Sequence, residues 1–277
     1  MPDFEKMADE CLRLRNTVVD IIHNAGSGHT GGSLSAVEIL WTLYSQFMRA
    51  KPDDPAWPGR DRFILSKGHA APILYAVLAE KGFFDAAELQ TLRRTGSILQ
   101  GHPDMRKTPG VEMSTGSLGM GISTGVGMAL GARLQKSGAR VFVLVGDGEL
   151  QEGQNWEGME SASKFQLSNL VLIVDENGVQ LDGTTEDIMP MRDIAAKIRE
   201  FGLEVKRCDG HDCASVHEAL AWATEARPPH APPRAVVART VKGKGVSFME
   251  GDHSWHGKKI TDDDYAVAKS ELKGVSS

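Results

Sequence analysis

The stretch VFVLVGDGELQEGQNWEG, residues 141–158, decides the fold together with NLVLIVDENGVQLDG, residues 169–183. Each stretch begins with a short run of apolar, mostly β-branched residues that ends at turn-forming residues. Such runs are typical of strands buried on both faces of a parallel sheet. The segment between them, Gln151–Phe165, is expected to be a helix. Strand, helix and strand in this order predict a right-handed βαβ unit.

Polar residues follow both strands at the point where each one ends. Asp147 follows the first strand, between Gly146 and Gly148, and Asn177 follows the second strand, 30 residues later. Ligands of open α/β sheets bind outside the carboxyl ends of the strands, so we expect the two side chains to lie side by side there. A carboxylate and an amide oxygen suit Mg²⁺ or Ca²⁺, and the start of the next helix favours a diphosphate. A Gly-Asp-Gly turn alone is more often only a strand-end turn; the second polar residue, Asn177, favours a binding site.

Further patterns along the chain predict the other elements of an α/β domain. Ser27–Ser33 is expected to form a glycine-rich loop, and Gly, Pro and Ser block regular structure at Gly96–Gly116. Helices are predicted at Met7–His23, Ala36–Met48, Ala71–Lys81, Ala86–Arg94, Gly121–Gln135 (as a buried helix), Ala214–Glu225, and after the N-cap Thr261. Strands are predicted at Arg62–Leu65, Leu203–Arg207 and Ala235–Ala238. We therefore expect residues 1–277 to form a single doubly wound α/β domain, with a mostly parallel sheet and helices on both faces.

Composition and charge exclude several classes of protein. Of the 277 residues, 41% are hydrophobic and 25% are charged, which is ordinary for a globular protein. The net charge is −6, with no long basic stretch, so nucleic-acid binding is disfavoured. No apolar run approaches the ~20 residues of a membrane span, and the amino terminus lacks the apolar core of a signal peptide. Three cysteines are too few for a disulfide framework, so a cytoplasmic location is expected.

The two opening stretches closely resemble the thiamine diphosphate motif of transketolases. Further segments resemble the same family in the same order, and the resemblance extends over nearly the whole chain. They are SGHTGGSLS (27–35), LSKGHA (65–70), GHPD (101–104), STGSLGMGIS (114–123), KGKGV (242–246) and HSWHGK (253–258). The chain is thus identified as similar to the amino-terminal, thiamine-diphosphate-binding section of transketolases.

This resemblance implies a role for each matching residue. Asp147, Asn177 and the main-chain oxygen of Val179 would bind Mg²⁺, with Ca²⁺ as a possible substitute. The cofactor would be bound by residues that contact its diphosphate or its rings, or that lie where the two chains meet: His69, Gly116, Leu118, Gly148, Glu152, Lys242 and His256. His29, His102 and His256 would face the substrate and exchange protons with it, since histidine titrates near neutral pH.

Two other kinds of site are disfavoured by the residues themselves. Gly26–Ser33 superficially resembles a phosphate-binding P-loop, but Gly32 stands where that motif requires lysine. A zinc site is disfavoured because the spacing of its candidate ligands departs from zinc-finger patterns. These candidates are Cys208, His211, Cys213 and His217.

The resemblance covers only one of the two domains that build a transketolase active site. Full-length relatives carry a second, pyrimidine-binding domain with the glutamate that activates the cofactor. We expect a separate chain to supply that domain here, in an α₂β₂ assembly that acts on sugar phosphates. Two alternatives stay open: a specialised subunit for an unusual branched or sulfonated ketose, and a non-catalytic cofactor-binding remnant. The first gains some support from Met120, because many relatives carry glutamine there.

Overall fold

A five-stranded parallel sheet forms the centre of the molecule. In the computed structural model, which describes residues 2–273, the strand order is β1-β2-β3-β5-β4 and every neighbouring pair is parallel. The strands are β1 (Arg62–Leu65), β2 (Val141–Gly146), β3 (Leu170–Glu176), β4 (Glu204–Asp209) and β5 (Arg234–Arg239). All five predicted strands are therefore present, and the ends of the predicted domain, residues 1 and 274–277, lie outside the described residues.

Ten α-helices surround the sheet in the described part of the chain. They are α1 (Phe4–Ala25), α2 (Thr30–Leu34), α3 (Val37–Thr42), α4 (Ala71–Glu80), α5 (Met120–Leu134), α6 (Gly153–Lys164), α7 (Thr185–Ile188), α8 (Ile194–Glu200), α9 (Cys213–Thr224) and α10 (Asp262–Glu271). Thr261 caps α10 as expected, and it forms a capping box with Asp264. None of the helices among residues 2–273 is both long and apolar enough to cross a lipid bilayer.

Side chains that alternate along the strands build two separate cores. Phe142 and Leu144 of β2 face a large core together with α1, α3, α4 and α9. Val141, Val143 and Val145 face a second core on the opposite side, together with α5, α6 and α8. Because both faces of the sheet are covered, the sequences of β2 and β3 are continuous apolar runs rather than alternating ones.

Several predicted helices differ in detail from the structure. The predicted loop at Ser27–Ser33 contains the start of α2, and the predicted helix Ala36–Met48 changes from α3 into a π-helical turn at Leu43–Phe47. The expectation that Gly121–Gln135 is a buried helix is wrong. Helix α5 buries one face against the sheet but leaves Met120 and Leu134 exposed, by 44% and 82% respectively.

Candidate functional site

Asp147 and Asn177 lie at the carboxyl ends of β2 and β3 and line one cavity of about 240 Å³. The carboxylate of Asp147 is buried and accepts hydrogen bonds from the backbone N–H groups of Gly148, at 2.9 Å, and Gly178, at 2.6 Å. Burial, together with the negative charge of Asp175, raises the pKa of Asp147 to about 7. A carboxyl group in this position is costly to ionise without a nearby cation.

The loop after β3 returns Val179 to the same cavity. The Val179 N–H donates to the side-chain oxygen of Asn177 at 3.1 Å, and Val179 pairs with Thr184 in an isolated bridge. This turn fixes the Asn177 amide, so its oxygen keeps a defined direction. The three residues predicted to bind a metal ion, Asp147, Asn177 and Val179, therefore lie together along the cavity wall.

The residues predicted to hold the cofactor come from distant parts of the chain and gather around this cavity. Gly116 is absent from the wall of the cavity, but it has a φ of 141° and packs against His102, where an added Cβ would lie 2.9 Å from the imidazole. The other members of the predicted cofactor set all line the cavity: His69, Leu118, Gly148, Glu152, Lys242 and His256.

Four histidines from four segments of the chain form one cluster, and two of them, His69 and His256, line the cavity. The His29 ring lies at the centre, with its centroid 5.7 Å from those of His69 and His102 and 5.3 Å from that of His256. Burial, followed by the charge of Arg93, lowers the pKa of His29 to about 4. Burial and the charge of Lys242 lower the pKa of His256 to about 3. Both rings are therefore neutral near pH 7.

Lys242 links this cluster to the loop after β3. Its ammonium lies 3.1 Å from Nδ1 of His256 and donates to the carbonyl of Gln180 at 3.3 Å. Burial and the neighbouring charge of Lys67 lower the pKa of Lys242 to about 8, so most molecules keep the charge at neutral pH. A positive group in this position suits an anionic ligand.

A buried ion pair between Lys67 and Asp175 lies beneath the cavity, and the sequence-based reasoning missed it. Both side chains are at most 1% exposed. Asp175 also accepts hydrogen bonds from the hydroxyl groups of Ser35 and Thr240. Its carboxylate therefore joins the segments that carry three of the predicted site residues, His29, His69 and Lys242. The sequence did contain a signal for this pair, because Lys67 and Asp175 each lie at the end of an otherwise mostly apolar strand. Charged side chains are rarely buried without a partner of opposite charge.

Two further polar residues near the cavity were also missed. Glu149 is buried and accepts hydrogen bonds from the Ser66 hydroxyl and from the backbone N–H groups of Gly119 and Gly146. The Arg93 guanidinium lies 3.2 Å from Nδ1 of His29. Arg93 lies outside all of the quoted segments, and Glu149 lies in the stretch 141–158, but neither its burial nor its hydrogen bonds could be derived from the sequence.

The cavity fits a diphosphate held by a divalent cation. Within residues 2–273, Asp147 has no Lys, Arg or His nitrogen within 4 Å, so its buried carboxylate can take a metal ion. Gly32 and Gly148 allow the backbone to pack closely against the other lining residues. A Cβ at Gly32 would lie 3.0 Å from His69, and a Cβ at Gly148 would lie 3.0 Å from Gln180. Lys242 provides positive potential on the same wall, and Glu152, the N-cap residue of α6, also lines it.

Comparisons with known proteins show the family to which the chain is similar. Residues 6–275 match the family model described as "Transketolase, thiamine diphosphate binding domain". The 6-deoxy-6-sulfo-D-fructose transketolase subunit SqwG of Clostridium sp. (strain MSTE9) is 42% identical, over 94% of this chain and 94% of that protein. An apulose-4-phosphate transketolase subunit from Actinobacillus succinogenes is 41% identical, over 98% of this chain and 97% of that protein.

A solved structure gives the same result for the fold. The transketolase of Campylobacter jejuni superposes with a TM-score of 0.90 at 30% identity, covering 98% of this chain but 43% of that one. These matches confirm the predicted α/β fold with helices around a parallel sheet, and the prediction of a transketolase-type transferase domain that binds thiamine diphosphate. The chain therefore belongs to the transketolase family, and it corresponds to the domain of that family that binds thiamine diphosphate.

Proposed function

We propose that the chain is the diphosphate- and metal-binding subunit of a two-chain transketolase. The enzyme would transfer a two-carbon ketol unit from a ketose phosphate donor to an aldose phosphate acceptor. The observation that carries this proposal is the single cavity at the ends of β2 and β3, which combines a buried carboxylate, a fixed amide oxygen and buried cations with a cluster of neutral histidines.

The metal ion and the diphosphate would lie next to each other in this cavity. Asp147, Asn177 and the carbonyl of Val179 would hold Mg²⁺, which needs few protein ligands because it keeps waters and phosphate oxygens. Ca²⁺ would satisfy the same oxygens. His69, Gly148, Lys242 and His256 would contact the diphosphate, while Gly116 and Leu118 would contact the rings. When bound, thiamine diphosphate supplies the carbon nucleophile of the reaction.

The histidines would act on the substrate. His29 and His102 lie next to each other in the cluster, with ring centroids 5.7 Å apart, and His102 is exposed. Their low pKa values keep both rings neutral near pH 7, so each can offer one N–H donor and one acceptor nitrogen to sugar hydroxyls. His256 would hold or move a proton at one of these substrate oxygens.

A second chain is part of this proposal. The two curated relatives described above are named as transketolase subunits, and this chain matches each of them over nearly its whole length. The partner would carry the pyrimidine-binding domain, and two copies of each chain would form an α₂β₂ assembly. Glu152 is exposed beside Leu118, where it would meet the partner. We place this assembly in the cytoplasm, where free thiols such as Cys208 persist.

The names of the two relatives favour a second candidate substrate class. One is named for a sulfonated ketose and the other for apulose-4-phosphate. A specialised ketose is therefore an alternative donor for this chain, and a non-catalytic remnant is the remaining alternative.

The test begins with the partner. The tagged chain, purified from its source cells, is expected to retain a second chain that mass spectrometry identifies. The two purified chains are then mixed with thiamine diphosphate and Mg²⁺, and transfer of the ketol unit is followed with phosphorylated, branched and sulfonated ketoses. Activity of the mixture with one donor class, and none with either chain alone, is the expected result. Full activity of this chain alone would refute the two-chain proposal. Cofactor binding without transfer from any donor would favour the remnant.

A further inference from the structure

Arg93 lies in a loop that holds its backbone in an unusual conformation. Its φ is 62°, in the left-handed region that side chains other than glycine rarely adopt, and its N–H donates to the carbonyl of Leu99 at 2.8 Å. The guanidinium packs closely against Gly101, where an added Cβ would lie 3.1 Å from it. A strained backbone with a packed side chain is well suited to hold one group in place.

The Arg93 guanidinium contacts the central ring of the histidine cluster. One terminal nitrogen lies 3.2 Å from Nδ1 of His29, and the other donates weakly to the hydroxyl of Ser27 at 3.4 Å. Arginine has five N–H donors and no acceptor, and it stays charged in proteins. Nδ1 of His29 must therefore accept this hydrogen bond, so Nδ1 carries no proton.

This contact decides which nitrogen of His29 can donate. Since the ring is neutral near pH 7, its single proton must lie on Nε2. Among residues 2–273, no group forms a hydrogen bond with His29 Nε2, so this donor is available to a ligand. Lys242 lies against Nδ1 of His256 in the same way, at 3.1 Å.

We propose that Arg93 is a positioning residue that holds His29 in the tautomer protonated at Nε2, so that the ring offers an N–H donor to a substrate oxygen. This inference rests on the role proposed for His29 and deepens it. Without Arg93, the His29 ring could turn over or carry its proton on Nδ1. Either change would present an acceptor nitrogen, instead of an N–H donor, to the substrate oxygen. Other charged and titratable groups face His29 as well, from four further segments: His69, His102, Lys242 and His256.

The tautomer can be read without any enzymatic assay. The chain is labelled with ¹⁵N histidine, and the His29 signals are assigned by their loss in His29→Gln. At pH 7 we expect Nδ1 of His29 in the range of an unprotonated nitrogen and Nε2 in the range of a protonated one. In Arg93→Met, the Nδ1 signal should move toward the protonated range. The pKa of His29 should rise because a positive charge beside it has been removed.

Two control variants separate this role from general effects on folding and charge. Arg94→Met removes an exposed positive charge from the next residue and should leave the His29 signals unchanged. Arg93→Lys keeps a charged donor and should return them toward the wild-type positions. Identical Nδ1 signals in wild type and Arg93→Met, or a protonated Nδ1 in wild type, would overturn the proposal.

Kinetics provide an independent measurement on the assembled enzyme. With the partner present, Arg93→Met should lower kcat by about tenfold or more while changing KM much less, because the donor acts on the reacting oxygen. The acidic limb of the profile of kcat against pH should shift to higher pH, because the pKa of His29 rises in this variant. An Arg93→Met enzyme with wild-type kcat would contradict the inference, whereas an inactive wild-type mixture would count against the proposed function and leave the NMR result standing.

Discussion

The Oδ2 atom of Asp147 accepts a 2.6 Å hydrogen bond from the backbone N–H of Gly178, which joins the end of β2 to the loop after β3. The proposed metal site therefore lies across two strands, with Asp147 as its only carboxylate. In Asp147→Asn, affinity for thiamine diphosphate in the presence of Mg²⁺ should fall by more than the roughly 10–100-fold that loss of an outer-shell partner costs. Calorimetric titration measures this, with the exposed Asp182→Asn as control. Unchanged affinity in Asp147→Asn would contradict the metal site.

The buried ion pair beneath the cavity predicts a large loss of stability. Lys67→Met leaves Asp175 buried without its cation, and breaking one partner of a buried pair costs about 3–5 kcal/mol. Urea unfolding of the variant should show this decrease in the free energy of unfolding. Lys164→Met, at an exposed position, should change it by no more than about 0.5 kcal/mol. A loss below about 1 kcal/mol in Lys67→Met would show that the pair contributes little.

The low pKa of His256 predicts a pH-dependent stability. The folded-state value of about 3 lies below the ordinary histidine value of 6.5, so between these limits the unfolded chain binds a proton that the folded chain does not. The free energy of unfolding contributed by this group should therefore fall as pH decreases from 6.5 toward 3. Urea unfolding from about pH 7 to about pH 4 should show a smaller decrease in His256→Gln than in wild type. The exposed His230→Gln serves as control, and equal slopes for wild type and His256→Gln would argue against a buried neutral ring.

Two glycines of α5 predict opposite effects of the same substitution. An added Cβ at Gly125 would lie 2.6 Å from Cγ2 of Val143 in β2, whereas the space around Gly127 is open. Gly125→Ala should destabilise the isolated chain by about 1–3 kcal/mol through overpacking. Gly127→Ala should stabilise it by about 0.5–1 kcal/mol through helix propensity. Thermal unfolding measures both, and the same sign for the two variants would disprove this packing of α5 on the sheet.

The exposed face of α5 predicts where the assembly forms. Met120 is 44% exposed and Leu118 is 38% exposed, next to Glu152 at the expected contact between the chains. Met120→Glu should weaken association, because it places a charge in an apolar contact, while a glutamate in the first turn of a helix preserves the fold. Analytical ultracentrifugation of the mixed chains measures this. Val267→Glu, on the exposed side of α10, is the matched control. Unchanged assembly in Met120→Glu would place the contact elsewhere.

The sequence was sufficient to predict the parts of the fold that depend on burial. Val141–Val145 and Leu170–Val174 are continuous apolar runs because both faces of the sheet are covered, and all five predicted strands are present. Helix α8 was missed because it has seven residues, and so short a segment shows little helical periodicity. The burial of α5 was overestimated because glycine and alanine are common both in tightly packed helices and on the surface that a partner covers.

The residues of the candidate site also differ in how far the sequence could predict their positions. Residues in glycine-bearing motifs, such as His69 and Asp147, could be placed at the cavity from the sequence. Arg93 could not, because its position depends on a left-handed turn, and for Asp175 the sequence indicated a strand end but not its contacts with segments far apart in the chain. The resemblance predicts which residues would touch the ligands, and the structure adds Arg93 and Asp175 as residues that lie against them.

The ion pair of Lys67 with Asp175 also affects how ligand binding can be measured. Two hydroxyl groups, of Ser35 and Thr240, donate hydrogen bonds to the same carboxylate. These groups bind one another within the chain, so ligand binding should need little rearrangement of them and should keep most of its intrinsic free energy. A ligand that binds only the folded chain raises the melting temperature in proportion to the logarithm of its concentration once it exceeds Kd. A simple dye-based melting curve thus becomes a screen for unknown sugars and cofactor analogues.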